Sequence, residues 1–233
     1  TSVYTAGDMF PMLPEKLSTD LTSLGEGQDR LAIIVEMVIA EDGAVLSSVL
    51  FRALVRNRAK LAYNSVAAWL AGEAPAPERV TAVSGLDVQL RLQDQVAQRL
   101  KVRRHQQGAL SLETIEPRAV FDGEVLTDLR VEQKNRAKEL IEDFMIAANQ
   151  ATASYLKGKG VPSFRRILRS PERWQRIIEV AARWGEHLPP EPDASALEGF
   201  LVARRKADPL RFPDLSLAIV KLIGRGEYVL DQS

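Results

Sequence analysis

The segment from residue 135 to 157 constrains the fold more than any other. Ala137, Leu140, Ile141, Phe144, Met145 and Ala148 recur there at the i, i+3, i+4 spacing of one helical face. That spacing predicts a long amphipathic helix, and such a helix is stable only when a second layer covers its apolar stripe. The chain therefore has to supply elements that pack on this face. Its 233 residues, 45% of them hydrophobic and 27% charged, are enough for a core of ordinary globular composition.

The covering elements are of both kinds. LAIIVEMVIA at 31–40 and the run 44–56 read as two strands, joined by Glu41-Asp42-Gly43, the strongest hairpin signal in the chain. FDGEV at 121–125 repeats that turn chemistry, and Ala109–Leu112, VPSFRRIL and Tyr228–Leu230 read as short strands. Helices are expected at 64–71 (Asn64 as cap, Gly72 as stop) and at 86–104 (Leu86, Leu90, Val96 and Leu100 on one side). Further helices are expected from Ser170-Pro171 to Gly185, with Ser170 as cap and Pro171 in the first helical position, and at 194–205 and 214–223. GEAPAPE at 72–78 and HLPPEPDAS at 187–195 are linkers. Hairpins interspersed with helices predict an α+β (mixed α/β) fold, its hairpins in a central sheet flanked by helices.

Composition narrows the chemistry. Thirty-one basic residues balance thirty-one acidic ones, so any anionic ligand must be met by a local stripe of charge. Cysteine is absent, which excludes disulfides and thiolate metal sites and fits a reducing cytoplasm. No apolar run approaches the ~20 residues of a membrane span, so no membrane partner is expected. The chain opens on threonine, which fits a fragment or a processed product. No P-loop, helix-opening GxGxxG or GxSxG elbow is present. The two histidines, His105 and His187, lie too far apart to suggest a metal pair, and His105, in a basic run, is expected at the surface. Glu41-Asp42 and Glu142-Asp143 are the only adjacent carboxylates of note, and the first pair belongs to a turn.

One stretch is unusual. In PMLPEKLSTDLTSL, residues 11–24, Pro11 and Pro14 bracket Met12 and Leu13 and hold the chain extended, and the whole reads as too punctuated for a helix. With its preceding TSVYTAGDMF, this stretch resembles a segment of the catalytic domain of the ribonuclease II / ribonuclease R family. That family carries a Val/Ile-Tyr pair followed by Pro-Met-Leu-Pro-Glu-x-Leu-Ser; Thr22 stands where it usually has cysteine. RNRAKLAYNSV, GALSLETIEPRAVFDGEV and AKELIEDFMIAAN resemble later family segments, in family order, over residues 1 to about 158.

The resemblance implies a fold and an activity. The family hydrolyses single-stranded RNA from its 3′ end with Mg²⁺ and releases nucleoside monophosphates, the terminal base being clamped in a narrow channel. By motif position Tyr4 is the tyrosine that stacks on the terminal nucleotide, and Leu112 falls where many members have the second clamping ring, a phenylalanine. Leucine offers apolar contact without a ring, so Leu112→Phe is expected to tighten binding of short oligonucleotides, and unchanged affinity would count against the assignment. Glu142 falls on the glutamate that contacts the terminal nucleotide, and Asn149, seven residues on, shares its helical stripe. Arg103, Arg104, Arg165, Arg166 and Arg169 are candidates for phosphate contacts.

The family's Asp-x-Asp-Asp cluster, which binds Mg²⁺, lies upstream of the Val-Tyr segment, so the metal ligands are expected outside this chain. ADPLRFPDLSL at 207–217 offers Arg211 as the family's catalytic arginine. The alternative register sets 214–230 ahead of a His-Phe-Gly-Leu segment, and the arginine loop then lies beyond residue 233. The chain thus reads as the central segment of one nuclease domain whose partners are single-stranded RNA and the remaining parts of the same polypeptide. A catalytically inactive RNA-binding relative and a domain that binds no nucleic acid are the alternatives.

Overall fold

Both Asp-Gly pairs turn antiparallel hairpins in the computed structural model, which describes residues 2–4, 9–113, 117–123, 125–131, 135–168, 171 and 173–231. Strand β1 (Ser2–Tyr4) pairs with β2 (Met9–Pro11), β3 (Asp29–Ile39) with β4 (Val45–Arg56), β5 (Pro117–Asp122) with β6 (Val125–Val131), and β7 (Ser163–Ile167) with β8 (Glu227–Asp231). In the first turn Gly43 takes φ 81° and the Asp42 carboxylate accepts the Ala44 N–H at 3.0 Å, a closure that a Cβ at residue 43 would strain. The helices are α1 (Tyr63–Ala71), α2 (Glu78–Thr81), α3 (Leu86–Gln106), α4 (Arg136–Gly158), α5 (Trp174–Ala182), α6 (Ala194–Ala207) and α7 (Phe212–Ile223). The α+β expectation holds, but among the described residues the hairpins stand as four two-stranded sheets rather than one central sheet.

The chain divides into two compact units. One comprises Thr1–Arg99 and Pro117–Thr152, the other Leu100–Glu116 and Ala153–Ser233. The first is centred on Val66, Trp69 and Leu70 of α1, Val80 of α2, Leu90 and Ala97 of α3, and Ala137 and Leu140 of α4. The second is centred on Trp174 and Ile177 of α5, Leu197, Phe200 and Leu201 of α6, and Phe212 and Ile219 of α7.

Several local expectations need correction. The proline-punctuated stretch is a strand only as far as Pro11; Met12 and Leu13 bend, the Leu17 and Ser18 N–H groups then reach the Pro14 carbonyl at 2.8 and 3.0 Å, and Leu17–Leu21 form a helical turn of π type. Proline in a first turn has no N–H to waste, so it starts this turn instead of preventing it. Asn64 is not a cap; α1 begins at Tyr63, and the Asn64 side chain accepts from Asn135 at 3.0 Å. Helix α5 begins at Trp174 after Arg173, so Pro171 lies ahead of the helix, its carbonyl closing a turn onto the Trp174 N–H at 3.1 Å. Ser170, the expected cap, is outside the described residues. Residues 109–112, expected as a short strand, join no helix and no sheet.

The faces of the long helices also shift. On α3 the buried positions are Leu90, Asp94, Ala97 and Leu100, with Val96 only half-buried. On α4 they are Ala137, Leu140, Asp143, Ala147 and Ala151, whereas Ile141 and Met145 are exposed. The buried stripe of α4 is thus made mostly of alanines and is turned away from the larger apolar side chains. Asp94 and Arg136 cross-link α3 and α4: Arg136 Nε donates to Asp94 Oδ1 at 2.7 Å and its second nitrogen to Oδ2. This bidentate bond holds the guanidinium charged even more firmly than usual.

Candidate functional site

Helix α1 starts at Tyr63 because Leu61-Ala62 is extended and Gly72, at φ 79°, ends the helix nine residues on. Packing α1 against α3 and α4 leaves an open apolar recess of about 190 Å³, walled by Leu61, Tyr63, Val66, Leu90, Leu140 and Ile141. Tyr63 is 49% exposed and Ile141 50%, so both stand at the mouth rather than in the core. The residue after Ile141 on α4 is Glu142, which is exposed, and the next, Asp143, is buried. Adjacent residues on a helix point about 100° apart, and that rotation separates the two carboxylates. Asn149 is exposed on the Glu142 stripe. The recess therefore offers an apolar slot with a phenol at its rim, and such a slot accepts a flat ring; Glu142 and Asn149 are exposed on another stripe of α4 and do not line it.

Tyr4 lies in β1, its Cα opposite Met9 in the pairing with β2. Tyr4, Glu142 and Asn149 belong to the first unit. Leu112, Arg103, Arg104, Arg165, Arg166 and Arg211 belong to the second. Leu112 is half-buried against the second core, so only part of its side chain is available to a ligand.

The arginines differ in how much charge they offer. Arg165 is half-buried, with Nε 2.6 Å from the Asp231 carboxylate across the β7–β8 ladder and a further bond to the Ala153 carbonyl at 3.3 Å. Arg166, on the opposite face of β7, is exposed and lies over the Tyr228 ring at 5.9 Å. Arg103 and Arg104 are half-buried in the last turn of α3 and hold polar contacts of their own. Arg211 precedes α7 with its side chain 78% exposed, its Nε 3.9 Å from Asp208. Arg169 falls outside the described residues.

His105 is not a surface residue: it is half-buried, with Nδ1 2.8 Å from the Ala109 carbonyl oxygen and 3.1 Å from the Glu198 carboxylate. Tyr63 was not singled out from the sequence. The available signal was its place at the end of the Leu-x-Tyr that enters a helix, where an aromatic residue starts a helix with its ring unburied.

The RNB domain family model matches residues 1–233. Ribonuclease R of Vibrio parahaemolyticus is 36% identical over 171 residues, covering 73% of this chain and 20% of that protein. Exoribonuclease 2 of Cronobacter sakazakii is 33% identical over 214 residues, covering 88% of this chain and 32% of that protein. The solved Mycoplasma genitalium RNase R in complex with ribose-methylated single-stranded RNA superposes with a TM-score of 0.82 at 21% identity, over 98% of this chain and 36% of that one. The chain thus spans about a fifth to a third of the length of the curated relatives it matches.

Proposed function

The chain belongs to the RNB domain family, and on that premise we propose that it is part of a 3′→5′ exoribonuclease that hydrolyses single-stranded RNA to nucleoside 5′-monophosphates with Mg²⁺. The observation that carries this reading is the RNB domain match over residues 1–233, and the apolar recess with Tyr63 and Ile141 at its mouth offers a surface for a base. A terminal base fits an apolar slot with an aromatic rim because every base has a π-face. The exposed Glu142 carboxylate on α4 accepts a hydrogen bond from a ribose hydroxyl, which distinguishes RNA from DNA. Within the second unit, Arg166 and Arg211, both exposed, are better placed to meet a phosphate than Arg165, whose charge Asp231 already offsets.

Among the described residues no group of three or more histidine, aspartate or glutamate side chains is placed to hold a metal ion. The described residues therefore do not fit the Mg²⁺ that the family resemblance implies. The parts of the reaction carried by this chain are binding, orientation and exclusion of water around the RNA end. A second feature supports a larger parent protein. Hairpin β3–β4 is apolar on both faces, with Leu31 (85% exposed), Ile33 and Leu54 on one and Val38, Val49 and Phe51 on the other. Strands of this composition are built for burial on both sides.

The test is binding of a labelled single-stranded RNA at low salt, with turnover in Mg²⁺ followed in parallel. Tyr63→Ala is expected to weaken affinity by about 1–3 kcal/mol, the range for loss of one base–aromatic contact. Glu142→Gln is expected to narrow the preference for RNA over DNA of the same sequence. Failure of the unaltered protein to bind single-stranded RNA would refute the reading. Binding without degradation in Mg²⁺ would identify a non-catalytic relative.

A further inference from the structure

The hairpin of β7 and β8 has two unlike faces. On one, Ser163, Arg165, Ile167, Val229 and Asp231 are half-buried, and the charge of Arg165 is offset by Asp231. On the other stand Phe164, Arg166, Tyr228 and Leu230, all exposed. Phe164 is 80% exposed and Tyr228 72%. Single exposed apolar residues are ordinary, but these are neighbours. Phe164 pairs with Leu230 and Arg166 with Tyr228, on successive rungs of the same face. The two aromatic residues therefore lie diagonally across the ladder, roughly 7–8 Å apart at the backbone.

Arg166 is positioned on this face by two features. Gly226, just ahead of β8, leaves room for its side chain: a Cβ at residue 226 would lie 3.0 Å from Arg166 Nε and 3.4 Å from its Cγ. The guanidinium then lies over the Tyr228 ring, 5.9 Å from the centroid. The four outward side chains thus present two rings and one positioned cation, and no carboxylate is among them.

We propose that this outer face of the β7–β8 hairpin is a contact surface for single-stranded RNA, on which Phe164 and Tyr228 each stack one of two successive bases and Arg166 meets the phosphate between them. Exposed rings on a sheet stack unpaired bases whatever their sequence, because every base has a π-face, and a guanidinium beside them complements the backbone charge. A duplex keeps its bases stacked on one another and offers such rings nothing. The inference rests on the RNA reading above and adds to it a surface in the second unit, whereas Tyr63 and its recess belong to the first.

The experiment measures the affinity of the intact chain for a labelled oligouridylate across a salt series. Phe164→Ala and Tyr228→Ala are each expected to weaken binding about fivefold or more, from the loss of one base–aromatic stack. Phe164→Leu keeps the apolar area without the ring and should lose nearly as much, whereas Phe164→Tyr should bind as the unaltered chain does. Arg166→Gln should flatten the slope of log affinity against log salt by about 0.7, the share of one phosphate contact on a single strand. Phe164→Leu binding as tightly as the unaltered chain would mark the face as a general apolar patch and overturn the proposal. So would affinity and salt slope unmoved by all of these variants while Tyr63→Ala still weakens binding; the RNA reading would then stand without this face. An unaltered chain that binds no oligouridylate refutes that reading, and this inference with it.

Discussion

Trp174→Ala is expected to destabilise the second unit by about 3–5 kcal/mol, the range for removing a buried large aromatic side chain. Trp174 opens α5 and is 5% exposed among Ile177, Leu201, Phe212 and Ile219. Its indole also reaches outward: Nε1–H donates to the Pro189 carbonyl at 3.0 Å, tying the proline-rich linker after α5 back to the helix start. The alanine variant loses the packing and the tether together. Trp174→Phe keeps most of the ring volume and loses the donor, so it is expected to cost only about 1 kcal/mol from that bond, plus whatever the smaller ring leaves unfilled. Urea titration followed by circular dichroism separates the two, provided the slope is unchanged. A loss below about 1 kcal/mol in Trp174→Ala would show that this residue does not anchor the core.

Arg136→Met is expected to cost the first unit about 2–4 kcal/mol, somewhat less than a fully buried pair because the arginine is partly solvated. Asp94 is 3% exposed, and both its oxygens are held by the Arg136 guanidinium. Without that partner the carboxylate is left facing Leu90 and Ala97 on its own helix, a charge in an apolar setting. The informative companion is Arg136→Met combined with Asp94→Leu. Replacing both members removes the orphaned charge, so the double variant should recover much of the stability lost in the single one. No recovery would mean that Arg136 acts through packing of its stem and not through the pair.

These two residues show how differently parts of the fold can be read from sequence. Asp42-Gly43 and Asp122-Gly123 announce their hairpins because the turn chemistry sits in adjacent residues. The length of α4 is equally legible, since its periodicity runs unbroken from Arg136 to Gly158. Its buried face is not. Ile141 and Met145 carry more hydrophobicity than Ala147 and Ala151, yet the alanines are the buried ones, and residue hydrophobicity alone does not say which stripe the surrounding elements cover. Asp94 and Asp143 on buried faces contradict the pattern that sequence reading relies on, as polar residues do wherever a partner compensates them.

The candidate site divides in the same way. Glu142 and Asn149 were placed on one stripe by counting, and Leu112 by motif position. Tyr63 needed the packing of α1 on α3 and α4, since only that leaves its ring at the mouth of a recess. The segment at 109–112 reads as a strand but forms none, because its polar groups are met by Glu198 and Ser216 side chains, which no local alternation encodes.

Sequence alone determined where the turns and long helices lie, the absence of thiol chemistry, and the motif order that places the chain in its family. Each of these is written in residues a few positions apart, where backbone sterics and side-chain period act directly. Tertiary structure decided which face each helix buries and which polar groups meet. Arg136 finds Asp94 42 residues away, Ser111 finds Glu198 across 87, and Glu113 finds Ser216 across 103. Those partners are selected by the packing of whole elements, and no local pattern encodes a contact whose two halves become neighbours only when the core closes.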